Sequence, residues 1–193
     1  MATPTIIDGL IDAVIGREGG YSNHPADKGG PTRWGVTEQV ARANGYRGDM
    51  RDLPRSAAGA IYRVIYWERP GFFLVAQHYP DVAAELFDIG VNIGVGVAAT
   101  FLQRSLNALN SGGAHYPDVP VDGAIGAATM RALALFQGRR GAEGADRLLE
   151  AIRSLRGARY IEICEARPAN EAFTYGWFGR MTEMLKARFG RRA

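Results

Sequence analysis

Cysteine occurs once, at Cys164, so no intrachain disulfide can staple the chain and no cysteine-based zinc site can form. Histidine is nearly as scarce. His24, His78 and His115 are scattered, which argues against a histidine-rich metal site, and no metal or cofactor is expected. No apolar run reaches the roughly 18 residues that a membrane helix needs, so no membrane span is expected. The opening residues Met1-Ala2-Thr3-Pro4-Thr5 lack the basic region, apolar core and small-residue cleavage site of a signal peptide. The expectation is synthesis in the cytoplasm, with any work elsewhere requiring release by another agent. Helix-turn-helix, zinc-finger and RNA-binding signatures are missing too, which argues against a nucleic-acid partner.

What is present is an ordinary globular composition. The 193 residues are 47% apolar and 22% charged, enough for one core or for one core split between two small lobes. The net charge of +3 is unevenly spread. Residues 1–86 carry 9 Lys+Arg against 10 Asp+Glu, whereas residues 87–193 carry 14 against 10 and end in Lys186, Arg188, Arg191 and Arg192. A basic half suits a polyanionic partner, although charge runs are as often a solvated helix face.

Periodicity points to a mostly α fold. Thr3-Pro4 reads as a helix start, and Ile6, Ile7, Leu10, Ile11, Val14 and Ile15 recur on one face until the pattern stops between Gly16 and Gly20. Residues 19–36 hold five glycines and two prolines and predict a loop with at most a small β-hairpin. Thr37 should cap a second helix running to Asn44-Gly45, and Asp52-Leu53-Pro54 should open a third that ends before Pro70. A fourth starts at Pro80. The glycine-spaced stretch Asp88-Ile89-Gly90-Val91-Asn92-Ile93-Gly94-Val95-Gly96 should lead into a fifth near 97–109. After a loop from Ser111 to Pro120, helices are predicted over about 127–137, 144–167 and 177–189. Charge and texture change near residues 86–90 without a flexible spacer. That predicts two packed lobes, 1–87 and 88–193, in preference to two independent domains.

The loop after the first helix carries the chemistry. In Arg17-Glu18-Gly19-Gly20-Tyr21-Ser22-Asn23-His24-Pro25-Ala26-Asp27-Lys28-Gly29-Gly30-Pro31-Thr32-Arg33-Trp34-Gly35, two carboxylates and a threonine share one short segment. Glycosidic hydrolysis needs a protonated acid at the leaving oxygen and a second group that positions water or stabilises the cationic transition state. Glu18, at the negative end of the first helix and beside Tyr21 or Trp34, would hold its proton longer, although Arg17 opposes this. Asp27, in a polar loop beside Lys28, is placed to stay ionised, and Thr32 offers a hydroxyl to an attacking water. The plainer alternative stays open on spacing alone: a lone glutamate is usually surface, and aspartate in a Gly/Pro loop usually makes a turn.

Glu18-Gly19-Gly20-Tyr21-Ser22-Asn23 followed by Asp27-Lys28-Gly29-Gly30-Pro31-Thr32-Arg33-Trp34-Gly35-Val36-Thr37 resembles the signature of glycoside hydrolase family 108, the phage and bacterial N-acetylmuramidases that cleave peptidoglycan. Ile61-Tyr62-Arg63 and Tyr66-Trp67 through Pro70 resemble that family's third helix. Asp88-Ile89-Gly90-Val91-Asn92-Ile93-Gly94, Phe101-Leu102-Gln103-Arg104, Val121-Asp122-Gly123-Ala124-Ile125-Gly126 with Thr129, and Gly176-Trp177-Phe178-Gly179-Arg180 resemble the predicted peptidoglycan-binding half paired with it. The resemblance implies a lysozyme-like fold, with 1–87 as the catalytic muramidase lobe and 88–193 as a helical peptidoglycan-binding lobe. It makes Glu18 the catalytic acid. Asp27 follows by nine residues and Thr32 by fourteen, an order similar to the triad of phage-type lysozymes, where the threonine lies one position further along.

A polysaccharide presents apolar sugar faces to aromatic rings and hydroxyl and acetamido groups to polar side chains. Tyr21, Asn23 and Trp34, with Asn92, Trp177 and Arg180 from the far lobe, are the candidate substrate contacts. Asp122-Gly123 before Thr129 is explained by a turn into a helix. The implied partner is peptidoglycan, cleaved at the MurNAc–GlcNAc β-1,4 bond by a monomeric phage or prophage endolysin that a holin-type partner admits to the wall. The alternatives are a non-lytic wall-binding or secretion-accessory protein, since relatives of this architecture have been named secretion activators, and a lytic transglycosylase. Stereochemistry stays open because sequence does not set the carboxylate separation; the phage-lysozyme likeness favours inversion.

Overall fold

The computed structural model of the chain describes residues 6–17, 20–23 and 30–189. Glu18 and Asp27, with His24, lie outside the described residues. The described chain is mostly helical, with one small antiparallel hairpin.

Helix α1 spans Ile6–Arg17, and its Ile7, Ile11, Val14 and Ile15 are buried. Its outer edge is tied to α3, Arg55–Arg63, through Asp12–Arg55 at 2.6 Å and through Asp8–Arg63. The hairpin pairs β1, Thr32–Arg33, with β2, Val36–Thr37. Helix α2, Glu38–Ala43, follows directly, because the Thr37 hydroxyl accepts from the Val40 amide and Asn44-Gly45 closes the other end, with Gly45 at φ 91°. After α3 the helix loosens into a π segment, Val64–Glu68, where the Arg69 amide reaches back to Val64. A short α4, Phe72–Ala76, precedes Pro80.

Helix α5 runs from Pro80 to Ile93 and α6 from Val95 to Ala108, separated by Gly94 at φ 112°. The glycine-spaced stretch from Asp88 is therefore the second half of α5 as far as Ile93, and after Gly94 its last two residues, Val95 and Gly96, already open α6. Gly90 sits inside that helix because a Cβ there would lie 3.2 Å from both Phe72 and Val95. Nine consecutive residues of α5, Val82 to Gly90, are buried, so this helix is the centre of the molecule. Helix α7, Ala127–Ala166, breaks at Gly141 (φ 56°, ψ −147°), which gives the two helices that periodicity predicts on either side of that position. Helix α8 is longer than predicted, Glu171–Phe189, starting just after a 3-10 turn at Pro168–Asn170.

The boundary expected at 87/88 falls within α5. Buried side chains from Ile7 through Phe87 to Ile152 form one continuous core, so the two halves share their apolar interior. The 109–126 connection is fixed by polar anchors. Tyr116 donates to the Leu106 carbonyl at 2.8 Å, and the Gln103 amide, 1% exposed, donates to Asp122 and the Ala124 carbonyl while accepting from the Gly123 amide. The Gln103 hydrogen bond, with that of the Ala124 amide, holds the Asp122 carboxyl below its usual range. The motifs around Gln103, Asp122 and Thr129 thus build a turn into the start of α7.

Candidate active site

Helix α1 ends immediately before Glu18 in sequence, and the segment that follows closes on itself by pairing. Ser22 and Thr32 exchange two backbone hydrogen bonds of 2.8 Å, so the ends of the glycine-rich segment meet. Thr32 then starts the hairpin, and its hydroxyl donates to the Gly30 carbonyl at 3.2 Å. The turn is Trp34-Gly35, with φ of 55° and 74°, the two left-handed positions of a tight type I′ connection. Glycine adopts that conformation freely; tryptophan does not. Trp34 is held there by its indole N–H, which donates to the Leu53 carbonyl at 3.0 Å, and by packing against the core. A strained, anchored aromatic beside a glycine-rich loop is the kind of feature that collects at functional sites.

Tyr21 is exposed, with the Arg51 guanidinium 5.4 Å above its ring, and it lines a depression of about 340 Å³ with Pro31, Glu38 and Arg42. Asn23 is exposed. These residues, Thr32 and Trp34 form one group around the hairpin.

The far-lobe candidates form a second group, centred on a residue that sequence reasoning did not single out. Asp88 of α5, 6% exposed, sits 2.5 Å from Arg156 of α7 and 2.5 Å from Arg180 of α8. The Asn92 amide, one turn along α5, donates to the Asp88 carbonyl at 2.6 Å and to its carboxylate at 3.3 Å. Glu85, one turn earlier and 1% exposed, pairs with Arg153 at 2.9 Å and Arg156 at 2.6 Å. Trp177 packs against Tyr160 at 5.1 Å with the rings tilted by 34°, and it stacks on Phe173 at 6.4 Å. Arg156 in turn donates to the Tyr160 hydroxyl at 2.9 Å. Burial works against the Arg156 cation, yet Asp88 and Glu85 together keep it protonated and push its pKa up. Burial also raises the Tyr160 phenol, against the pull of Arg156.

Arg180 is thus committed to a carboxylate, and Asn92 is exposed but fixed in orientation. A signal for this network exists in the sequence: Glu85 and Asp88 stand three apart in the otherwise apolar stretch from Val82 to Val91, and two buried carboxylates require cations. The partners, Arg153, Arg156 and Arg180, are about seventy to ninety residues away and cannot be paired with them by spacing.

Among the described residues, no group of histidine, cysteine and carboxylate side chains could hold a metal ion. No curated protein matches the chain. The structure of Brucella abortus SagA is similar in fold, covering 95% of this chain and 94% of that one at 24% identity and a TM-score of 0.66. Residues 97–182 match a family described as Predicted Peptidoglycan domain, which takes in most of α6, all of α7 and much of α8. Residues 11–94 match Glycosyl hydrolase 108, from within α1 through the hairpin to the end of α5, so the chain is a glycoside hydrolase made of a Glycosyl hydrolase 108 domain followed by a predicted peptidoglycan domain.

Proposed function

We propose that the chain is a peptidoglycan hydrolase of the N-acetylmuramidase type, cleaving the MurNAc–GlcNAc β-1,4 bond with Glu18 as general acid. The observation that carries this reading is the match of residues 11–94 to Glycosyl hydrolase 108 with the Glu18, Asp27 and Thr32 pattern inside it. The adjoining match over residues 97–182 supports peptidoglycan as the polymer. Glu18 protonates the glycosidic oxygen as the bond breaks. Asp27 and the Thr32 hydroxyl position the water that completes hydrolysis, and inversion is the stereochemical outcome we favour. Thr32 also serves the loop, through its backbone pairing with Ser22. Tyr21, Asn23 and Trp34 contact sugars near the hairpin, and Asn92 and Trp177 contact them from the α5 and α8 side, with Arg180 beside them. The biological setting we propose is phage or prophage lysis, with the enzyme held in the cytoplasm until a holin-type partner admits it to the wall.

Mass spectrometry of muropeptides released from purified peptidoglycan tests the reaction. Fragments ending in reducing N-acetylmuramic acid, absent with Glu18→Gln, are expected. Anhydro-muramyl ends would instead make the enzyme a lytic transglycosylase. Retention on the wall without any release would place the chain among non-lytic wall-binding proteins.

A further inference from the structure

Asn92 is an exposed residue whose side chain is not free to turn. Both acceptors beside it belong to Asp88: the backbone carbonyl and the carboxylate oxygen Oδ2. An amide facing two acceptors must point its NH₂ at them. That leaves Oδ1 as the side-chain atom with no partner among the described residues, presented outward as a hydrogen-bond acceptor. Asp88 can impose this orientation because it is itself immobilised. Arg156 Nη2 approaches its Oδ2 at 2.5 Å, and Arg180 approaches its Oδ1 through Nε at 2.7 Å and Nη2 at 2.5 Å. Both cations come from the stretch matched to the predicted peptidoglycan domain, whereas Asp88 and Asn92 lie in the stretch matched to Glycosyl hydrolase 108.

We infer that Asn92 is an acceptor-only glycan contact, that Asp88 is its positioning residue, and that Arg180 acts on substrate through Asp88 and not by touching sugar. The group recognised is a donor, either a sugar hydroxyl or the N–H of an acetamido substituent. The inference rests on the peptidoglycan reading for its ligand class. It also gives the predicted peptidoglycan domain a role distinct from wall adhesion: it supplies the cations that fix a side chain of the Glycosyl hydrolase 108 stretch.

The test measures retention on insoluble peptidoglycan, native and de-N-acetylated, in a Glu18→Gln background so that hydrolysis does not deplete the polymer. Asn92→Ala is expected to bind about three- to tenfold more weakly, the worth of one neutral hydrogen bond. A loss confined to native peptidoglycan identifies the acetamido N–H as the donor, and an equal loss on both identifies a hydroxyl. Unchanged retention by Asn92→Ala on both polymers overturns the inference. Arg180→Gln, which leaves Arg156 on Asp88, is the second variant. With Glu18 intact, it is expected to raise KM with little change in kcat, and to have no further effect when combined with Asn92→Ala. A lowered Tm with unchanged KM would make Arg180 purely structural and overturn the positioning role. If the wild-type chain releases no muropeptides yet Asn92→Ala weakens retention, the muramidase reading fails while the contact stands.

Discussion

Around the hairpin at residues 32–37, Thr32, Trp34 and Thr37 are half-buried and each is held by one neutral side-chain hydrogen bond, to Gly30, Leu53 and Val40 respectively. Around Asp88 the opposite holds: Glu85, Asp88 and Arg156 are buried, and each is held by two ionic partners drawn from α5, α7 and α8. The first region keeps polar groups available to a substrate. The second spends them all internally, and where it reaches the surface, at Asn92, it delivers a side chain in one fixed orientation. Changes at the first should therefore alter chemistry with little loss of stability, whereas removing a buried charge from the second should cost mainly stability, with its reach into binding confined to Asn92 and the arginine that fixes it.

The sharpest form of that contrast pairs two substitutions. Glu18→Gln should lower the rate of muropeptide release by about 10²–10⁴-fold, the usual contribution of general acid catalysis, while leaving Tm unchanged. Arg156→Met should leave Glu85 and Asp88 short of their shared buried cation and destabilise the fold by about 3–5 kcal/mol, read as a lowered midpoint in urea. A stable Arg156→Met variant, or a Glu18→Gln variant that melts early, would break the comparison.

Alkaline pH probes the second half in a graded way. Burial pushes the Tyr116 hydroxyl up to about 12 from the ordinary 10.0. An unfolded chain therefore loses this proton first, and the folded state holds it longer. The stabilisation is fully present below pH 10, and it drains away as pH climbs towards 12. Tyr116→Phe should start less stable, having lost its bond to the Leu106 carbonyl, but should show a flatter decline over that window in urea titrations at stepped pH.

How much of this could be read in advance depended on the range of each interaction. The α1 face, the Thr37 cap and the break in α7 at Gly141 are set by residues within one or two turns, and periodicity and capping chemistry reach them. The Asp88–Gly96 stretch reads in sequence as running into the fifth helix, whereas residues up to Ile93 still belong to α5. Gly90 is helical and owes its small size to Phe72 and Val95, neighbours that local pattern does not reveal. The hairpin was legible from glycine content, but the Ser22–Thr32 closure and the Asp88 partner of Arg180 were not. A lone arginine beside tryptophan suggests sugar binding until its partner ninety-two residues away, Asp88, is in view. Nothing in spacing separates an arginine that reaches solvent from one that is consumed by a buried carboxylate.

The mildest prediction returns to the hairpin and asks whether Trp34 does one job or two. Trp34→Phe keeps an aromatic ring but removes the indole donor, leaving the Leu53 carbonyl without it. One neutral hydrogen bond at a half-buried position contributes about 1 kcal/mol, so Tm should fall by only a few degrees. The left-handed backbone at φ 55° adds a second consequence, because the lost bond is one of the restraints that holds tryptophan in an unfavourable conformation. If Trp34 only anchors the turn, kcat and KM should both follow the small loss in stability and recover on cooling. A rise in KM that persists at low temperature would mean that the indole also meets the glycan, and would join the structural and catalytic sides of the hairpin in a single side chain.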